Sequence, residues 1–484
     1  ALYYGCSQYA GRVGIEHHLL QYASHPGYVY SDISGFGNFV SSIVYFNLYW
    51  AAVAMLLAIF CNLAWVRGCE ASAAARLRRA RTRFSGKTAW LTLSTSVAVL
   101  GLACFVFYNT NVLNEYRTKR IGELYKVDYE QRFKAYQETP QPRIVAMDLL
   151  AEIYPSARRL ELSGTYQIVN KTETSITKVL VGTPPQAEIA VLAIGSTDRA
   201  ATFDQTSGTR VFELARPMSP GESRELNFRL EIGLRGFTNH RADTFVVENG
   251  TYFDASFFPR IGYVGSDVLS NATTRKKYDL PPKRRVPAIE DSSARLDPAI
   301  STDSDWIEFQ VTLGTVEDQL AVAPGSLVRE WRENGRRYFH YRADAPMMCF
   351  FSLLSARYAV YRDRWQDVDI EIYHHPAHDF NLQSMARAMK LSLDYYTRHF
   401  GAYHNRQLRI VEVPATHGTA KAFSGIIPFT EWAGFTTRRH RNKSKDLEVP
   451  FFVVAHEVAH QWWAHQVMSG NVQGAILLSE ALAQ

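Results

Sequence analysis

Two long runs without a charged residue constrain this chain before anything else does. Ile43 to Val66 reads IVYFNLYWAAVAMLLAIFCNLAWV, and Ala89 to Tyr108 reads AWLTLSTSVAVLGLACFVFY. At a rise of about 1.5 Å per residue, each is long enough to cross a hydrocarbon core of about 30 Å as one helix. Tyr and Trp stand toward both ends of the first run, where interfacial rings sit. A pair of buried core helices is the competing reading. A signal-peptide core is disfavoured, because neither run is N-terminal.

The segment between them, RGCEASAAARLRRARTRFSGK, carries Arg67, Arg76, Arg78, Arg79, Arg81, Arg83 and Lys87 against Glu70 alone. The positive-inside rule places this short loop in the cytoplasm and both flanking parts of the chain on the other face, the periplasm in a bacterial inner membrane. Attraction to anionic membrane lipid is the expected role of its arginines. Much of the formal charge of +6 sits here and no nucleic-acid motif accompanies it, so no nucleic-acid partner is expected. The five cysteines, Cys6, Cys61, Cys69, Cys104 and Cys349, form no CxxC pair or regular spacing, which argues against a disulfide framework and a thiolate metal site.

A chain of 484 residues has room for two or three domains. It begins with Ala and stops four residues past Glu480, and is expected to be a fragment of a longer parent. The expected order is an extracytoplasmic segment (1–40), a transmembrane helix (41–66), the basic cytoplasmic loop (67–87), a second transmembrane helix (88–109), a helical stalk (110–142), a β-rich domain (143–369) and a catalytic domain (370–484). The stalk shows helical spacing at Leu113, Tyr116, Ile121, Leu124 and Tyr125 and ends at TPQP. From Arg143 the period changes to two: RLELSGTYQIV, AEIAVLAIG, RELNFRLEI and DWIEFQVTL alternate apolar and polar residues, which predicts an antiparallel sandwich or saddle of sheets. The polar, proline-containing stretch TTRKKYDLPPKRRVPAIEDSSARLDPAISTDSD reads as a surface loop. Beyond it, VDIEIYHH and LRIVEVP read as strands, GIIPFTEWAGFT as another, and Asp379 to Gly401 as a helix.

The stretch FFVVAHEVAHQWWAHQV, from Phe451 to Val467, carries the chemistry. Pro450 opens a helix where a missing N–H costs nothing. His456 and His460, four apart, share a face and can both reach one tetrahedral zinc ion at about 2.0–2.1 Å. Glu457 is rotated by about 100°, beside the metal and not aimed at it, where a general base stands. A buried cluster of this kind without partners would be costly, which favours the metal over a core polar pair. A metzincin arrangement is excluded, since Trp463 and Gln466 stand where it needs Gly and His. His465 points off the metal face and reads as a bystander, and Gln461 is a poorer ligand by geometry. The third ligand is then a carboxylate on the next helix, Glu480 in AILLSEALAQ. Two His and one Glu leave the fourth zinc position for water, the composition of a catalytic site.

HEVAHQWW followed by SEALA resembles the aminopeptidase N-like family of zinc metallopeptidases, the gluzincins. The resemblance implies His456, His460 and Glu480 as ligands of one zinc ion, Glu457 as catalytic base, a peptide substrate and a thermolysin-like α+β catalytic domain. Nineteen residues separate His460 from Glu480, one more than the family's usual spacing. VVENGTYFDASFFPRIGY resembles part of the family's saddle-shaped β-domain, so the resemblance extends over residues 143–484. The two spans, basic loop and stalk resemble the permease-type membrane segment of an ABC transporter placed before a peptidase, which implies an ABC-type ATPase subunit as partner. The function implied is a membrane-anchored zinc peptidase, an aminopeptidase in its first form. The alternative is a transporter component whose metallopeptidase-like domain binds peptides without efficient exopeptidase activity. Family exopeptidases carry Gly-x-Met-Glu-Asn, whose glutamate binds the substrate amine. Here TAKAF puts Ala422 in its place, with Glu412 or Glu431 as the available substitutes. The family's oxyanion-stabilising tyrosine is expected beyond Glu480.

Overall fold

The computed structural model describes residues 9–11, 14–65, 72–195, 200–438 and 448–484. It divides into two compact units, one made of Ala1–Val29, Phe36–Gly122 and Leu234–Asp243, the other of Tyr30–Gly35, Glu123–Gly233 and Thr244–Gln484.

In the first unit the two uncharged runs form helices Phe39–Ala64 and Gly86–Phe107, the second continuing as a π-helical turn, Tyr108–Leu113. Both are long and apolar enough to cross a membrane. They are not core helices: only 17% of the most apolar stretch of the first and 6% of that of the second is buried. Leu57, Phe60, Trp90, Val97 and Leu100 present their side chains outward. So wide an exposed apolar surface among the described residues is compatible with a lipid surround. The helices meet through Tyr45 and Phe105, ring centroids 4.5 Å apart, and through a small core of Phe46, Val106 and Phe237. Within the described part of the basic segment, Ala73–Arg83 forms a helix. Its Ala and Arg are strong helix formers. Arg83 donates to the carbonyls of Asn62 (3.3 Å) and Trp65 (2.5 Å), which end the first apolar helix, so a cation meets the negative end of a helix dipole. Arg67 and Glu70 lie outside the described residues.

The stalk helix begins later than its spacing predicts, at Lys119, and runs to Phe133. Its inward Glu130 makes a two-pronged ion pair, 2.7 Å on each arm, with Arg275 of the short helix Ala272–Lys277. Both charges are almost wholly buried.

The period-two segments form the strands expected of them. The largest sheet orders them Ser326–Glu333, Arg336–Arg342, Ser304–Val316, Arg143–Tyr154, Arg159–Val169, Ser223–Gly233 and Glu188–Ile194, with Met347–Met348 pairing to its third strand. One pairing departs from an all-antiparallel saddle: Arg143–Tyr154 runs parallel to Ser304–Val316, Met147 opposite Phe309 and Ala151 opposite Leu313. These two strands lie far apart in sequence, so no hairpin forces them antiparallel. Two smaller antiparallel sheets complete this part.

The last sheet orders Ala359–Trp365, Val368–His374, Gln407–Val413 and Ile426–Thr430, with the final two pairings parallel. The boundary expected between residues 369 and 370 falls inside its second strand, and its first strand lies wholly before that boundary. All seven residues of Gln407–Val413 are buried, as a central parallel strand requires. Alternation divides them: Leu408 and Ile410 face one core with Ile370 and Ile372, whereas Val411 and Val413 face another with Tyr373 and Phe423. Onto the first face pack helix Leu382–Phe400, through Met385, Met389 and Leu393, and helix Val449–Ala459, through Val454 and Val458. Gly401 ends the longer helix at a φ of +116°, a backbone region that glycine enters without Cβ strain. Its carbonyl accepts from Trp462 Nε1 at 3.0 Å, which ties the end of that helix to the segment after the histidines. The strand Ile426–Thr430 is shorter than expected, because Glu431–Phe435 turns into one π-helical loop.

Candidate metal centre

Helix Val449–Ala459 buries Val454 and Val458 on the sheet and so turns His456 outward. His460 is its C-terminal cap and keeps helical backbone angles, φ −60° and ψ −19°. Its ring therefore stays above that of His456, centroids 4.6 Å apart and planes at 83°. Glu480 arrives from Leu477–Ala481, a single π-helical turn and not a full helix.

The three side chains converge. The two histidine Nε2 atoms lie 3.1 Å apart, and Glu480 Oε2 lies 3.6 Å from His456 Nε2 and 3.7 Å from His460 Nε2. Ligands placed tetrahedrally at about 2.0–2.1 Å from zinc are separated by roughly 3.3–3.4 Å, so the spacing suits one such ion. The outer nitrogens bear on the protonation state. His456 Nδ1 lies 3.2 Å from the Ala483 carbonyl, and His460 Nδ1 lies 3.2 Å from the Trp463 carbonyl. A carbonyl only accepts, so in these bonds each Nδ1 carries the ring proton and each Nε2 presents a lone pair. Burial, followed by the neighbouring His460, lowers the His456 pKa and keeps that ring neutral. Two ring nitrogens and a carboxylate oxygen then face one point. Such a donor set suits a divalent cation. His456, His460 and Glu480 are the three-residue group among the described residues whose ligand atoms fall within 4.8 Å of one another.

Glu457 stands outside that group. Its side chain is buried toward Ala422, whose backbone holds the carboxyl down, while burial is the larger effect and pushes its pKa up to about 7. Residues Thr419–Phe423 run back along strand Ile426–Thr430, with Ala420 opposite Phe429 and Phe423 opposite Ile426. Gln461 is spent on this edge: its side-chain oxygen accepts from Gly425 N at 2.8 Å and its nitrogen donates to the Phe423 carbonyl at 2.9 Å. His465 is buried with Nε2 on the Ala422 carbonyl at 3.2 Å, and burial pushes its pKa down to about 4. These two residues hold the edge beside the motif helix.

Glu412 and Glu431 are both engaged. Glu412 accepts from His375 N and His378 Nδ1, both at 2.6 Å, and burial pushes its pKa up to about 7. Glu431 accepts from Ser31 Oγ at 2.9 Å, Asp32 N at 3.2 Å and Ile33 N at 3.3 Å. Asp32 in turn reaches His378 Nε2 at 3.2 Å. The turn Ser31–Gly35 thus folds onto the sheet that carries Glu412. Nothing in its sequence announced this beyond small polar residues and a Gly. Both carboxyl groups are thus engaged inside the protein.

No family model matches the chain, and no curated protein matches it. Among solved structures it is similar to an M1 zinc metallopeptidase from Deinococcus radiodurans, with a TM-score of 0.47 and 15% identity over 71% of this chain and 69% of that one. A mutant of the same peptidase, and that mutant bound to a Tyr-Ser-Ala substrate, give 14% identity at the same TM-score and coverage.

Proposed function

We propose that this chain is a membrane-anchored, zinc-dependent peptidase in which His456, His460 and Glu480 hold one zinc ion and Glu457 is the general base. The observation that carries the proposal is the convergence of three lone-pair donors at 3.1–3.7 Å, with both rings oriented by backbone carbonyls. A zinc ion in such a set supplies Lewis acidity toward water and a carbonyl group. The chain's own residues do the rest. The Ala483 and Trp463 carbonyls orient the rings. Glu457, adjacent to but outside the donor set, takes a proton from water and returns it to the leaving amine. Desolvation of its carboxyl matches its basicity to that role.

The two apolar helices supply the anchor in this reading. The arginines of Ala73–Arg83 support a cytoplasmic position for that helix and an extracytoplasmic one for the peptidase. An ABC-type ATPase as partner belongs to the proposal on the layout of the membrane segment alone.

Aminopeptidase action is the first form of the activity. The second form, a transporter component that binds peptides without efficient exopeptidase turnover, is supported by the resemblance, which puts Ala422 at the place of the amine-binding glutamate, and by Glu412 and Glu431 both being engaged. The test is hydrolysis of quenched peptides by the full-length protein loaded with zinc, each peptide made with a free and an acetylated N-terminus. Cleavage confined to free N-termini establishes an aminopeptidase, and equal cleavage of both an endopeptidase. Zinc-loaded protein that binds the peptides and cleaves none is the transporter component.

A further inference from the structure

We infer that residues 286–299, which the sequence presents as a plain surface loop, form a strap that sets the position of Glu480. The inference rests on the proposed metal centre and concerns what holds its third ligand. The strap pairs with residues 469–473, in the connection between the motif helix and Glu480. Ala299 N donates to the Ser469 carbonyl at 3.0 Å, Asn471 N to that of Asp297 at 2.8 Å, and Gln473 N to that of Pro287 at 2.8 Å. Pro298 stands opposite Gly470 as an antiparallel bridge, and Gln473 Nε2 donates to the Val286 carbonyl at 3.2 Å.

The fit is close at one point. A Cβ on Gly470 would lie 2.7 Å from both the Cα and the carbonyl oxygen of Arg295, which are backbone atoms that cannot swing aside. The strap is itself stiffened. Asp291 accepts from Ser293 N and Ala294 N, both at 3.1 Å, and so caps its one helical turn. Arg143, at the start of its strand, donates to the Thr302 carbonyl at 2.7 Å and to the Asp297 carboxylate, which fastens the strap to the large sheet.

From the strap to Glu480 the chain is a succession of local turns. Val472 N donates to Gly470 O (2.8 Å), Ala475 N to Val472 O (3.2 Å) and Leu477 N to Gly474 O (2.9 Å). The turn carrying Glu480, Leu477–Ala481, buries none of its residues fully. Its place is set at its two ends, by the strap before it and by the Ala483 carbonyl on His456 after it. The extra residue in the spacer lies in this connection, and the strap gives that longer connection one conformation. Gly470 and Arg143 are positioning residues for the zinc donor set.

The test is zinc affinity of the detergent-solubilised full chain, read by competition with a chromophoric chelator, for wild type, Gly470→Ala, Arg143→Ala, Glu480→Ala and Gly470→Ala/Glu480→Ala. Glu480→Ala weakens zinc binding most. Gly470→Ala and Arg143→Ala each weaken it by about 10- to 100-fold, the usual size for outer support of a metal site. In the Glu480→Ala background Gly470→Ala causes no further loss, because its effect passes through that carboxylate. X-ray absorption then shows the oxygen donor lost from zinc-bound Gly470→Ala, with the two imidazoles retained. The strap idea is overturned by wild-type affinity in folded Gly470→Ala and Arg143→Ala, or by the same loss with and without Glu480. If Gly470→Ala does not fold, Arg143→Ala and Arg143→Ala/Glu480→Ala complete the same cycle. Wild-type zinc affinity in Glu480→Ala overturns the metal centre itself, a distinguishable result.

Discussion

Replacing Glu457 with Gln isolates the chemistry from the metal. The side chain is 8% exposed, so an amide of nearly the same volume fits its place, and its oxygen can still accept from the Ala422 backbone. None of the three zinc donors is altered, and neither carbonyl that orients the histidines belongs to Glu457. What disappears is the basic oxygen. A positioned general base contributes about 10²–10⁴ in rate, which corresponds to roughly 2.7–5.5 kcal/mol of barrier. The assay is single-turnover cleavage of a quenched peptide by the zinc-loaded full chain, with metal content measured on the same sample. Glu457→Gln is expected to carry one zinc per chain and to lose about 10²–10⁴ in rate. A zinc-loaded variant within about threefold of wild type refutes the assignment of the base.

His460→Ala leaves two donors and one ring with no metal-side partner, and metal analysis after dialysis should find the zinc gone. Glu130→Ala strands the Arg275 guanidinium in a buried site. That should cost about 3–5 kcal/mol in chemical unfolding of the β-rich part, against little for an exposed pair such as Arg284–Glu138. The cluster around Glu412 predicts a pH dependence of stability. Burial raises the Glu412 pKa to about 7, and His378, lowered by burial but raised further by Glu412 and Asp32, also ends above its ordinary value. Both groups hold protons more tightly in the folded state. Stability should therefore fall as pH rises, from about 4.5, where the unfolded carboxyl ionises, through about 7, and on through the raised pKa of His378. Thermal melts from pH 5 to 8 should show the decline, and Glu412→Gln should reduce it, the rest coming from Glu457 and Glu431, whose pKa values burial also raises. A flat wild-type profile contradicts the reading.

What could be read in the sequence is what depends on local period and spacing. Met385, Met389 and Leu393 lie on one side of their helix, and Gly401 marks its end, so that helix is legible in the sequence, although it starts at Leu382 and not at Asp379. The four-residue step from His456 to His460 fixed the face they share, and the spacer pointed to Glu480. Pairings across long stretches of chain left no such mark. Arg143–Tyr154 lies parallel to Ser304–Val316 through backbone hydrogen bonds that any alternating sequence can make. The strap at 286–299 meets 469–473 through carbonyls and amides, which are the same in every residue. Ser31–Gly35 satisfies Glu431 with one hydroxyl and two backbone N–H groups, and only the fold brings them there. The basic segment shows the opposite limit: its charge is plain in the sequence, whereas its alanines and arginines also favour the helix Ala73–Arg83.

Zinc content and X-ray absorption of the full chain, purified without chelator, test the central claim most directly. One zinc per chain, ligated by two imidazole nitrogens and one carboxylate oxygen at about 2.0–2.1 Å, is the predicted result. A protein that takes up no zinc, or a bound zinc whose shell is unchanged in His460→Ala, contradicts it.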